Sequence, residues 1–146
     1  MTNGYDQARN YREMTVMGSS PERLIPLMYK HLLVNLKKAS RQIEAKDIEG
    51  KAESLGKAGE IVYELMAALD FDQGGEITVR LASLYAYWIK EINAASRALD
   101  AARLGPLAEM VGELHESWEE AVRLVESGEA TLPDTTLEGG VRGPTA

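Results

Sequence analysis

Cysteine is absent from the 146 residues, which excludes a disulfide framework, a thiolate nucleophile and a cysteine-rich zinc site, and fits a reducing cytoplasm. The chain has only two histidines. His31 and His115 fall in separate segments, without HExxH, without a duplicated ExxH and without a carboxylate at metal-ligand spacing, so no metal site is expected. GxSxG, Walker A and GxGxxG patterns are missing as well, which leaves neither an enzyme nor a bound cofactor in prospect. No run of 18 apolar residues occurs, and the opening MTNGYDQARNYREM lacks the apolar core of a signal peptide. The expectation is a soluble cytoplasmic protein without membrane insertion. Positive charge is also in deficit, with a net charge of −7 and a pI near 4.9. The basic residues read as scattered among acidic ones rather than gathered in a stripe, which argues against nucleic acid as a partner.

Alanine and leucine are abundant, β-branched residues are few and phenylalanine occurs once, a balance that favours helices over strands. The fold class expected is all-α: an antiparallel four-helix bundle over residues 19–126, a flexible N-terminal arm over 1–18 and a disordered tail over 127–146. A chain of this length buries roughly two-thirds of its unfolded surface, enough for a core. At GSSPERL, Pro21 suits a first helical position and Glu22 meets the helix dipole, so helix one is placed from there to about Ala45, with Pro26 forcing a kink or a late start. Its apolar stripe is 24, 28, 32, 36, 39 and 43. Asp47 caps helix two, whose seam reads 48, 52, 55, 59, 62, 66 and 69. A second row, Ala58, Ile61, Leu65 and Ala68, widens the apolar face beyond one core contact. Gly56 and Gly59 cost about 1 kcal/mol each in a helix interior, so a close approach is expected there.

DQGG ends helix two, with Gly74 or Gly75 free to be left-handed. Helix three spans Glu76 to about Ala98 and carries Ile77, Leu81, Leu84, Trp88, Ile92, Ala95 and Leu99 on one face. Asp100 and Gly105-Pro106 compete as the start of helix four, which carries Leu107, Val111, Leu114, Trp118 and Val125. The glutamates at 109, 113, 116, 119 and 120 read as a solvated face. Trp88 and Trp118 read as core. Tyr63, Tyr85 and Tyr87 cannot all share one seam, and core and binding surface both remain open for them.

The order SSPERLIPLMY, a helix ending in LD, GGEI at 74–77 with Leu81, Leu84, Tyr85 and Tyr87 behind it, and then Trp118 resembles the flagellin export chaperones, the FliS family. The similarity covers roughly residues 5–125. It implies a monomeric or weakly dimeric bundle that binds the disordered C-terminal segment of flagellin, prevents its polymerisation in the cytoplasm and presents it to the flagellar export gate. It also implies an arm, here with Tyr5, Tyr11 and Val16, that covers the groove when the client is absent. The surplus apolar row of helix two and the tyrosines of helix three then nominate Ile61, Leu65, Leu69, Ile77, Leu81, Tyr85 and Ile89 as the client groove. The rival reading is a helical adaptor for a folded protein partner, which would need a flatter patch and no displaceable arm.

Overall fold

A computed structural model describes residues 23–72 and 74–129. The arm with Tyr5, Tyr11 and Val16, the Pro21 start and the tail beyond Glu129 lie outside the described residues. Four long helices follow one another: α1 (Leu24–Glu44), α2 (Ile48–Ala67), α3 (Gly75–Ala98) and α4 (Leu104–Glu126), with a 3-10 turn at Ala101–Arg103 before the last. No strand occurs among the described residues. The all-α bundle is the observed fold class.

Pro26 stands in the first turn of α1, where its missing N–H is one of those without an intrahelical partner, so the helix tolerates it. The α-helix itself begins at Leu24. Asp47 caps α2, its Oδ1 accepting from the Gly50 N–H at 3.0 Å. The left-handed glycine is Gly75, at φ +59°, and it opens α3 rather than closing α2, which already stops at Ala67. Asp100 and Leu104 divide the start of helix four between them: Asp100 caps the 3-10 turn through Ala102 N–H at 3.0 Å, and α4 proper begins at Leu104. Its end is a Schellman stop, with Gly128 at φ +84°, Gly128 N–H donating to Val125 O and Glu129 N–H to Leu124 O.

Cross-bonds fix the antiparallel order. The end of α1 meets the start of α2 through Ser54 and Gln42, the start of α2 meets the end of α3 through Lys51 Nζ donating to Ser96 O at 3.1 Å, and Arg23 ahead of α1 reaches Glu126 at the end of α4 at 2.7 Å. Packing is extensive along α1–α2, α1–α4 and α2–α3. Between α3 and α4 it is sparse.

The core holds Met28, Tyr29, Leu32, Leu36, Leu55, Ala58, Ile61, Val62, Leu65, Tyr85, Trp88, Ile92, Leu107 and Val111. Both rows of α2 contribute to the core. Leu55 and Val62 of the expected seam and Ala58, Ile61 and Leu65 of the second row are at most 2% exposed, whereas Ile48 at the start of the seam is 52% exposed. The position of α2 between α1 and α3 buries members of both rows. Leu99, expected on the core face of α3, is instead a left-handed C-cap and is 47% exposed. Gly56 and Gly59 are a further correction: a Cβ added at either would meet nothing within 4 Å, so no close intrachain approach explains them.

Candidate functional site

Where α3 and α4 part, the surface opens into a cleft of about 410 Å³. All four helices contribute to it at one end of the bundle: Ile25 from the start of α1, Leu65 from the end of α2 with Ala68 and Leu69 beyond it, Ile77 to Tyr85 from the first half of α3, and Leu114, Ser117 and Trp118 from α4. The periodicity of α3 explains its share, because Ile77, Leu81, Leu84 and Tyr85 follow at spacings of four, three and one and so share one side. Leu81, Leu84, Leu114 and Trp118 are partly buried and pack against the core behind. Among the described residues, no helix stands opposite their remaining surface.

The back wall is aromatic. Tyr85 and Tyr29 join hydroxyls at 2.7 Å, Trp88 meets Tyr29 edge-on with centroids 6.0 Å apart, and Trp118 lies 6.3 Å from Tyr29. Burial raises both phenol pKa values, with the Tyr85 shift enlarged by Tyr29 beside it. Both stay neutral across ordinary pH. Polar groups in the lining are few: Arg80, Ser117 and Thr78. Arg80 pairs with Glu76 at 3.1 Å, and Thr78 is 1% exposed with its hydroxyl unpartnered. Such a surface can hold apolar side chains, and it offers no acid–base pair or nucleophile. Among the described residues no cluster of three histidines and carboxylates could hold a metal.

Of the seven groove residues nominated from sequence, Leu65, Leu69, Ile77, Leu81 and Tyr85 come together in this cleft. Ile61 does not; it is 2% exposed, inside the core. Ile89 packs against the core along α3 and is not part of the lining. The lining residues not nominated are Ile25, Ala68, Thr78, Arg80, Leu84, Leu114, Ser117 and Trp118. Trp118 had been placed in the core, and only the loose fit of α3 to α4 turns one edge of it outward. Tyr63 and Tyr87, at 59% and 46% exposed, stand on the outer surface. Tyr85 belongs to the interior.

The profile of the family described as flagellar protein FliS matches residues 1–125, a span that includes every residue of the cleft. The chain belongs to the FliS family. It is 32% identical over 109 residues to the flagellar secretion chaperone FliS of Salmonella typhimurium, covering 74% of this chain and 81% of that one. Similarity to the flagellar secretion chaperone FliSB of Pseudomonas aeruginosa is 32% over 107 residues, 73% of this chain and 85% of the relative. The Bacillus subtilis FliS protein, also named a flagellar secretion chaperone, is 26% identical over 113 residues, 77% and 84% of the two chains. FliS membership and the cleft thus coincide in one segment. No helix among the described residues is long and apolar enough to cross a membrane.

Proposed function

We propose that this FliS-family protein is a flagellar secretion chaperone that captures the C-terminal segment of flagellin, keeps it from polymerising and hands it to the export gate. The observation that carries the reading is the apolar cleft that the described helices leave along the α3–α4 seam, suited to the side chains of an amphipathic helix. Its concavity suits an inserted segment better than the flat face of a folded partner. The work done there is binding, not catalysis.

Magnitudes indicate how much the cleft can supply. At about 410 Å³ it is near the lower end of ligand sites, room for a few side chains and not for a whole peptide. Three buried anchors contribute roughly 5–9 kcal/mol, and ordering a disordered segment removes about 2–5. Micromolar affinity requires about 8 kcal/mol. The client therefore extends beyond the cleft onto neighbouring apolar surface.

The N-terminal arm is the cover in the absence of client. Ile25 sits in the cleft lining, and Tyr11 precedes it by fourteen residues, a length that reaches at most about 46–50 Å and so spans the cleft easily. A tethered segment competes at roughly millimolar effective concentration and yields to a tighter client.

The experiment is a calorimetric titration with a flagellin C-terminal peptide against the wild type and Ile77→Asp. Ile77 lines the cleft yet is 45% exposed, so a carboxylate there leaves the helices folded while confronting the bound peptide. At least tenfold weaker binding with an unchanged circular dichroism spectrum is the expected result. Equal affinity refutes the cleft as the client site.

A further inference from the structure

The basic residues are not all scattered. Between Leu24 and Ile43, α1 contains no carboxylate, and Lys30, Lys37, Lys38 and Arg41 are all exposed. With Val34, which is 50% exposed, they fall within about 100° of the helix circumference and along about 16 Å of its length, opposite the Met28, Leu32, Leu36 and Ala39 stripe. Four arginines elsewhere have acidic partners: Arg23 with Glu126, Arg80 with Glu76, Arg103 with Glu91, and Arg123 with Glu120. The four cations of α1 form no ion pair among the described residues, although the chain carries 23 acidic side chains.

Beside this stripe is a second concavity, about 350 Å³, lined by Leu36, Lys37, Ser40 and Arg41 of α1 and by Leu104, Gly105 and Ala108 of α4. Its floor is apolar, two cations stand on its rim, and the N-terminal turn of α4 adds the positive end of a 23-residue helix. The recess lies where α1 ends and α4 begins, and the client cleft lies where α1 begins. Both sites can be filled at once.

We propose that the outer face of α1 docks an acidic protein segment, its carboxylates against Lys30, Lys37, Lys38 and Arg41 and one apolar side chain seated in the recess between α1 and α4. Charge complementarity selects the occupant: carboxylates relieve the mutual repulsion of cations that have no partner within the bundle, and the apolar floor rewards a side chain that a bare polyanion lacks. The chain's net charge of −7 disfavours an extended polyanion such as nucleic acid. The surface does not depend on the identity of the client in the other cleft.

The test uses the full chain and a fluorescent peptide of glutamates with leucine at every fourth position. Controls are the same peptide without leucine, its lysine counterpart, phosphatidylserine vesicles and single-stranded DNA. The leucine-bearing acidic peptide binds best, and its affinity falls about tenfold when salt rises from roughly 0.01 to 0.15 M, where the Debye length shortens from about 30 to 8 Å. The double variant Lys37→Glu/Arg41→Glu abolishes that binding, Lys37→Gln/Arg41→Gln weakens it, and Ile77→Asp leaves it unchanged. Undiminished binding by both double variants overturns the proposal, as does equal binding of the leucine-free peptide. Preference for vesicles or DNA overturns the assignment of a protein partner.

Discussion

Tyr29 and Tyr85 give the sharpest energetic test of the interior. Their side chains are 0% and 2% exposed, and the two hydroxyls, 2.7 Å apart, satisfy each other. Tyr29→Phe strands the Tyr85 hydroxyl in apolar surroundings, Tyr85→Phe strands that of Tyr29, and each costs about 2 kcal/mol. The double phenylalanine variant removes both polar groups together, and its cost falls below about 1 kcal/mol because no buried hydroxyl is left unpaired. The cycle therefore closes with a coupling of about 3 kcal/mol. Urea unfolding followed by circular dichroism, with the slope unchanged across the four proteins, measures it. Additive single effects would refute the reasoning, since they would mean that water, not the partner tyrosine, satisfies each hydroxyl.

Two further outcomes are expected. Gly56→Ala and Gly59→Ala each raise stability by about 0.5–1 kcal/mol, because a methyl at either position meets open space and alanine gains in helix propensity; a lowered melting temperature in either would contradict this. Burial, and then the charge of Lys30, lower the His31 pKa below the usual 6.5, so the unfolded chain takes up the proton more readily. The stability this supports is complete above about pH 6.5 and declines as pH falls through the window beneath it. Comparison with His31→Gln at pH 7.5 and pH 5 isolates that loss, and a constant difference between the two proteins would count against it.

The helices were legible from sequence because each signal was local. Asp47 needs only its own turn to cap α2, and the row 28, 32, 36 and 39 could face nothing but a core. What was not legible depended on how the helices sit against one another. Two apolar rows lie side by side on α2, and its position between α1 and α3 buries members of both, Leu55 and Val62 with Ala58, Ile61 and Leu65, while Ile48 stays outside. The cleft obeys the same logic. Its α2 and α3 residues were visible as surplus apolar surface, but Leu114 and Trp118 look like ordinary seam positions, and nothing local announces that their partner helix stands off. The basic face of α1 escaped notice because sequence displays charges in a line, where Lys30 and Arg41 are far apart, and the helix stacks them.

The way the bundle is divided explains how it can carry a client without depending on one. The cohesive packing runs α4–α1–α2–α3, so the core closes through α1 and α2, and the α3–α4 seam is held chiefly at its turn, where Arg103 bridges to Glu91 at 3.1 Å. Moving away from that turn, the two helices present Leu81 and Leu84 on one side and Leu114 and Trp118 on the other with a gap between them. On the proposed function, a client side chain entering the gap packs against surface that the described helices leave open, so no contact among them is broken when it leaves. Substitutions on the rim, such as Ile77→Asp, should accordingly alter affinity and spare stability. Those at the floor, such as Leu65→Asp, place a charge at a position only 2% exposed and unfold the bundle before binding can be measured. The separation of these two effects follows from one feature of the described helices, that the α3–α4 seam packs sparsely while the other three are closed.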